Sequence, residues 1–242
     1  MADRMLSPST NVVHIWSTSL NVPDEAYDVL NQSLSPDEWE RAYSFVFEKD
    51  QRHYIVARGI LRTILAKYLG CLSTEIMFLY ENYGKPRLGE MESSIRLEFN
   101  LSHSYGFLVL AVSWGRQIGI DVERVRPIDD LDHLAAITFS EYEQNELSTF
   151  TPDKKLLGFF NCWTRKEAYV KAIGSGLLAP LDTFDMSLAP DNPICMLSNR
   201  LDPNEVTRWS FYTFVPEPGF VSALAVEGKD VIIQLKRWKV NL

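Results

Sequence analysis

Residues 106–118 read GFLVLAVSWGRQI, and residues 219–231 read GFVSALAVEGKDV. Each opens Gly-Phe, runs through an apolar stretch, and reaches a second Gly nine residues on, followed by a cation, a polar residue and a β-branched one. An apolar run bounded by glycines reads as a strand, a tight turn and a returning strand. Upstream lies a second echo, RTILAKYLG at 62–70 and KEAYVKAIG at 166–174. Both are amphipathic helices with a Lys three residues before a terminal Gly, where a left-handed cap belongs. Helix, strands and glycine hairpin therefore occur twice in the same order. The chain reads as two related α+β halves joined near residues 113–120, with a ligand cleft expected between them.

Around these anchors the first half offers a strand near NVVHIWST (11–18), then a helix from Ser35 with Pro36 at its first position and an acid in its first turn. A long helix follows from about Asp50 to Leu69, then strands near EIMFLY, IRLEFNLS and FLVLAVSW. The second half offers the strand QIGIDVERV (117–125), a helix after Phe139, and the helix ending at Gly174. Strands near TFDMSLA, RWSFYTFV, FVSALAV and VIIQLKRW complete it.

The bulk numbers remove several function classes. With 242 residues, 46% apolar, the chain suits one large domain or two small ones. A net charge of −8 argues against a general nucleic-acid binder, which needs surplus Lys and Arg to displace counterions. The longest aliphatic run, FLVLAV (107–112), is far short of the ~20 residues that cross a bilayer, and the N-terminus lacks a signal-peptide pattern. Three cysteines without CxxC spacing suit reduced structural thiols. The expectation is a cytoplasmic protein.

Four stretches carry candidate chemistry. In IGIDVER (118–124), Ile118, Ile120 and Val122 point one way while Gly119, Asp121 and Glu123 point the other. The two carboxylates, roughly 6–7 Å apart at the backbone, repel by about 2–3 kcal/mol at an effective dielectric of ~20, and by less than ~1 near bulk water. Taken alone the strand reads as a solvated face; in a cleft the pair needs a cation, and oxygen-only ligands suit Mg²⁺ beside phosphates. In the helix before Gly174, Glu167 falls between Phe160 and Trp163, inside the apolar stripe, with Lys171 on its margin. An ordinary i,i+4 ion pair belongs on the opposite face. Lys166 also falls in the stripe, from which a lysine snorkels to water.

FNLSHS (99–104) gathers Asn100, Ser102, His103 and Ser104 at a strand end, with no acid partner for a hydrolase triad. The four histidines lack zinc-ligand spacing. YGKPRL (83–88) puts Lys85 beside a Gly-Pro turn, and the long helix carries Arg52, Arg58 and Arg62, the last two placed to share a phosphate. GSGL (174–177) lacks the Lys-Ser/Thr of a P-loop. Oxygen ligands, scattered cations and an acid beside a Lys suit metal-assisted phosphoryl-type transfer better than a nucleophilic Ser or Cys.

GKPRL, FNLSHS, GIDVER, FSEYE and WTRKEAYVKAIGSGL, in that order between about Phe45 and Leu188, resemble the Sfp-type 4′-phosphopantetheinyl transferases. The resemblance implies an α+β fold of two similar halves related by a pseudo-two-fold, each a small antiparallel sheet packed with helices. The halves would be residues 1–117, supplying coenzyme A phosphate contacts, and 118–242, supplying metal and catalytic acids, with the active site at their interface. It implies transfer of the phosphopantetheine arm of coenzyme A to a serine of an apo acyl, peptidyl or polyketide carrier protein, releasing adenosine 3′,5′-bisphosphate. Asp121, Glu123 and Glu167 match the Mg²⁺ ligands; Glu167 is also the favoured general base, and Lys171 would neutralise the departing phosphate.

Lys85, Ser102 and His103 match coenzyme A phosphate contacts, Arg58 an arginine near the 3′-phosphate, and Arg52 a further contact. Glu143 matches the acid of the FSxxE motif. Such carriers are acidic around their serine, so a chain of net charge −8 needs a local docking patch, expected in the segment after Asp121 through Phe150, with Arg124 and Arg126 early in it. A monomer suffices, since the duplication supplies what a dimer would. Two other readings use the same groups: a coenzyme A-binding module without catalysis, and a metal-dependent phosphodiesterase with water as nucleophile.

Overall fold

The computed structural model describes residues 6, 9–89, 95–176, 179–189 and 193–239; Leu177 of GSGL lies outside them. The first half runs β1 (Val12–Ser19), α1 (Asp24–Asn31), α2 (Pro36–Tyr43), α3 (Glu48–Leu69), β2 (Phe78–Tyr80), β3 (Pro86–Leu88), β4 (Leu97–Ser104) and β5 (Phe107–Trp114). The second runs β6 (Ile118–Arg124), α4 (Leu131–Thr138), α5 (Glu141–Ser148), α6 (Pro152–Ile173), β7 (Phe184–Met186), β8 (Met196–Asn199), α7 (Glu205–Arg208), β9 (Trp209–Phe214), β10 (Phe220–Glu227) and β11 (Ile232–Arg237).

The two echoes become equivalent elements. Strands β5 and β10 are the pairing partners of β1 and β6, and each opens on a left-handed glycine, Gly106 at φ 77° and Gly219 at φ 82°. Helices α3 and α6 are both 22 residues long and end on left-handed Gly70 and Gly174. Only glycine takes that backbone freely, which is why the helices stop there.

The main sheets have the orders β11-β1-β5-β4 and β6-β10-β9. Pairing is antiparallel except that β11 runs parallel to β1, Val12 opposite Ile232, so the last strand of the second half completes the sheet of the first. Strand β5 is apolar from Phe107 to Val112 because both its faces are covered there. Leu108, Leu110 and Val112 pack with α3, while Phe107, Val109 and Ala111 meet Ile118, Ile120, Val122, Leu224 and Val226 in a core shared by both sheets. On the outer face of β10, Ala223 and Ala225 pack with Ala168 and Ala172 of α6. The layers are thus α3, first sheet, shared core, second sheet, α6. Among the described residues no helix is long and apolar enough to cross a membrane.

Two charged clusters prove to be framework. FSEYE is a capping box: the Ser140 amide donates to Glu143 Oε2 at 2.8 Å, and the Glu143 amide donates back to Ser140 Oγ at 3.3 Å. Glu143 is fully buried, accepts the Met186 amide at 2.7 Å, and pairs with Lys166 at 2.8 Å. Lys166 does not snorkel: its ammonium also reaches the Leu181 and Phe184 carbonyls, both at 2.6 Å. The motif therefore ties α5 to α6 and pins residues 181–184.

In the first half the anion shared by Arg58 and Arg62 is the buried Glu38 carboxylate, one oxygen each at 2.6 Å. Burial opposes ionisation there, but the two arginines and the Ser35 amide hold Glu38 below the usual carboxylate range.

Candidate active site

Strand β6 and helix α6 approach more closely than side chains permit. A Cβ on Gly119 would stand 2.1 Å from the Ala168 carbonyl oxygen and 2.3 Å from the Ala172 amide nitrogen. This mid-strand glycine marks a close backbone approach. It lets the Asp121 and Glu123 face of the strand lie under the Glu167 and Lys171 face of the helix. The solvated reading of that strand face is thereby corrected, since α6 covers it and Asp121 is only 3% exposed.

Ser102, His103, Asp121, Glu123, Glu167 and Lys171 line one cavity of about 270 Å³, together with Trp163, Val170, Gly176, Ala179 and Leu181. Lys171 bonds Asp121 Oδ1 at 2.6 Å and Ser102 Oγ at 3.0 Å. Ser102 Oγ also donates to Asp121 Oδ1 at 2.8 Å. Strands β4 and β6 belong to different sheets, and alternate side chains of β4 bridge them. Asn100 Oδ1 accepts the Ile120 amide at 2.8 Å, and Ser104 Oγ donates to Glu123 Oε2 at 2.8 Å. Three polar residues spaced by two thus hold the acid-bearing strand in register.

Burial raises the proton affinity of Glu167; Lys171 opposes this, and the repulsion of Asp121 and Glu123 adds to it. Burial also raises Glu123, which Ser104 moderates by its hydrogen bond. His103 is held below the ordinary histidine value by burial and then by Lys171 and His53, so at neutral pH it is an uncharged hydrogen-bond donor. Three acids therefore face one ammonium. Acids outnumber cations in this cavity, so an anionic ligand is favoured there by added positive charge.

The donor set fits a hard cation. Asp121 Oδ2 is buried without a partner, and among the described residues none donates a hydrogen bond to Glu167. Acceptor-only oxygens suit Mg²⁺. Among the described residues no three His, Cys, Asp or Glu groups stand gathered as a ready-made metal site, and Lys171 holds the other oxygen of Asp121.

Three other sequence candidates do not line the cavity. Arg52 bonds Asp24 at 2.8 Å and the Val22 carbonyl at 3.0 Å and lies over the Tyr27 ring. Arg58 is held by Glu38 and Tyr80 and lies over Phe78. Lys85 donates to the Ala172 and Ile118 carbonyls at 2.8 and 3.3 Å, bracing the end of α6. Conversely, His53 at the start of α3 stands close enough to His103 to lower it, and Asn21 holds its Nε2 at 3.1 Å. No motif signals it. It lies 50 residues from its neighbour, so only the tertiary fold brings the two together.

Residues 117–226 match the model of the 4′-phosphopantetheinyl transferase superfamily, and residues 18–115 match a 4′-phosphopantetheinyl transferase N-terminal model. The 4′-phosphopantetheinyl transferase HetI of Nostoc sp. is 39% identical over 89% of this chain and 88% of its own length. The 4′-phosphopantetheinyl transferase Sfp of Bacillus subtilis is 27% identical over 81% and 84%. The human L-aminoadipate-semialdehyde dehydrogenase-phosphopantetheinyl transferase is 30% identical over 74% of this chain and 62% of its own.

Proposed function

The chain belongs to the 4′-phosphopantetheinyl transferase superfamily, and from that membership we propose that it moves the 4′-phosphopantetheine arm of coenzyme A onto a serine hydroxyl of an apo carrier protein. Adenosine 3′,5′-bisphosphate is the other product. The observation that carries the residue-level reading is the single cavity holding Asp121, Glu123, Glu167, Lys171 and His103.

In this proposal Glu167, raised by burial, takes the proton from the attacking serine oxygen. That oxygen forms the new bond to the β-phosphorus as the bond to the 3′,5′-ADP oxygen breaks. Lys171, leaving Asp121, meets the negative charge that builds on the departing phosphate. Neutral His103 donates a hydrogen bond to the coenzyme A phosphates, and Ser102 does so only by turning its one hydroxyl proton away from Asp121 as Lys171 leaves. Arg52, Arg58 and Lys85 are given no phosphate contact here: Arg58 and Lys85 are engaged inside the fold, and Arg52 is paired with Asp24 at the surface, away from the cavity. Asp121, Glu123 and Glu167 would hold Mg²⁺, whose charge would offset their own and that of the diphosphate. Residues 1–117 and 118–242 act as the two halves of a monomer in the cytoplasm, where coenzyme A and apo carriers meet, with β11 of the second crossing over to complete the sheet of the first.

The products test this reading. With coenzyme A and Mg²⁺, adenosine 3′,5′-bisphosphate should be released only when an apo carrier is present, and one for one with carrier modified. Release without a carrier would mean hydrolysis by the same acids. Binding without release would mean a coenzyme A module.

A further inference from the structure

Gly119 permits the close approach of β6 and α6, but a missing side chain does not hold them there. The approach leaves two backbone acceptors within reach of one donor, the Ile118 carbonyl of β6 and the Ala172 carbonyl of α6. Both residues are buried. Carbonyl oxygens carry like partial charge, and buried ones need donors. One ammonium serves both: Lys85 Nζ donates to Ala172 at 2.8 Å and to Ile118 at 3.3 Å.

The two long helices differ at this point. Helix α3 closes on itself, the Gly70 amide donating to the Ala66 carbonyl at 2.8 Å. Helix α6 also ends on a left-handed glycine, yet among the described residues the Gly174 amide makes no such bond. Its end is held by a side chain from the first half of the chain. A cation there also offsets the negative end of the helix dipole.

Lys85 is delivered by the turn between β2 and β3, which closes through the Glu81 amide on the Lys85 carbonyl at 3.0 Å. That turn is seated on the end of α6. A Cβ on Gly174 would meet Glu81 Oε2 at 2.9 Å and Lys85 Cδ at 3.5 Å, and one on Gly176 would meet Tyr83 Cβ at 2.7 Å. Gly176 lines the cavity, whereas Lys85 does not. Burial works against the charge on Lys85, and Glu98 and Glu81 work for it.

We propose that Lys85 is a positioning residue of the transfer reaction: by clipping α6 to β6 one residue beyond Lys171, it fixes Lys171 and Glu167 over Asp121 and Glu123. The proposal rests on the carrier-loading reading and departs from the phosphate contact that the family resemblance implies for this lysine.

Steady-state loading of an apo carrier, with carrier and coenzyme A varied separately, tests it together with amide hydrogen exchange of the enzyme alone. Lys85→Met keeps the apolar stem and removes the donor. It should lower kcat about 10–100-fold, the scale of a ~1 Å misplacement, with KM for coenzyme A within about twofold. Exchange at residues 168–174 should quicken about fivefold or more, with α3 unchanged. Lys85→Arg keeps donors for both carbonyls and should recover most of the rate and of the protection. Should Lys85→Met fold too poorly for assay, Lys85→Gln, whose amide serves one carbonyl, should show the same split at smaller size. A rise in KM for coenzyme A at wild-type kcat overturns the proposal in favour of a phosphate contact. Faster exchange across α3 as well overturns it in favour of general stabilisation. A kcat within twofold of wild type in Lys85→Met overturns it outright. A wild-type protein that loads no carrier overturns the loading reading and the positioning role with it, an outcome separable from the others because the exchange difference at the end of α6 would remain.

Discussion

Gly119→Ala is the most informative single substitution, because its consequence follows from backbone geometry. The new methyl carbon would stand 2.1 Å from the Ala168 carbonyl oxygen, 2.3 Å from the Ala172 nitrogen and 2.9 Å from its Cα. Ordinary contacts begin near 3.4 Å. These are helix backbone atoms, so no rotamer change relieves the clash, and α6 must retreat from β6 by roughly 1 Å. Overpacking of this kind costs about 1–3 kcal/mol, which leaves a typical domain folded.

The same retreat stretches the 2.6 Å bond between Lys171 and Asp121 and draws Glu167 away from the strand acids. A displacement of ~1 Å between catalytic groups costs about 10²-fold in rate. The expected result is therefore a folded protein, less stable by ~1–3 kcal/mol in urea, whose carrier-loading rate falls about 100-fold at saturating coenzyme A. Gly89→Ala is the control: its nearest contacts are at 3.7 Å, so it should match or slightly exceed the wild type in stability and keep full activity. Gly119→Ala with a loading rate within twofold of wild type would refute the claim that this approach sets the site.

Three further outcomes are expected. Ser104→Ala removes the hydroxyl that holds Glu123 and should lower the loading rate about fivefold while raising the Mg²⁺ concentration for half activity, with Ser104→Thr restoring part of both. Glu143→Gln leaves the Lys166 ammonium buried without its carboxylate and should destabilise the fold by ~3–5 kcal/mol in urea titration, whereas Glu143→Gln/Lys166→Met should recover a measurable part. His14, buried between Tyr68 and Gln234, has its pKa lowered to about 4, chiefly by burial and then by Lys236. The unfolded chain takes up a proton near pH 6.5 and the folded chain only near 4, so stability should fall as pH drops through that window. The loss approaches roughly 3 kcal/mol and should be absent in His14→Gln.

What was legible in the sequence was local. Glycine punctuation at 70, 106, 174 and 219 carried the duplication, because a left-handed backbone leaves its mark at one residue. Period-two alternation put Asp121 and Glu123 on one face, and helical spacing put Glu167 in the apolar stripe. What covers a face is not local. The strand acids read as solvated because the helix above them lies some fifty residues away, although Gly119 in mid-strand was the available sign of close approach.

The same limit hid partners. Spacing said that Arg58 and Arg62 converge, but their anion is Glu38, from another helix. Lys166 sat in the apolar stripe, and its partner Glu143 ends a motif that otherwise reads only as a helix start. The parallel pairing of β1 with β11 spans nearly the whole chain and leaves no signal in either strand.

The central claim is that one cavity transfers an intact phosphopantetheine arm with Glu167 as its base. Intact-mass spectrometry of an apo carrier, incubated with coenzyme A, Mg²⁺ and enzyme, measures this directly. With wild type the carrier serine should gain the mass of one phosphopantetheine, and with Glu167→Gln, which still binds coenzyme A, almost none. A carrier left unmodified by wild type across acyl, peptidyl and polyketide types, or modified equally well by Glu167→Gln, would contradict it.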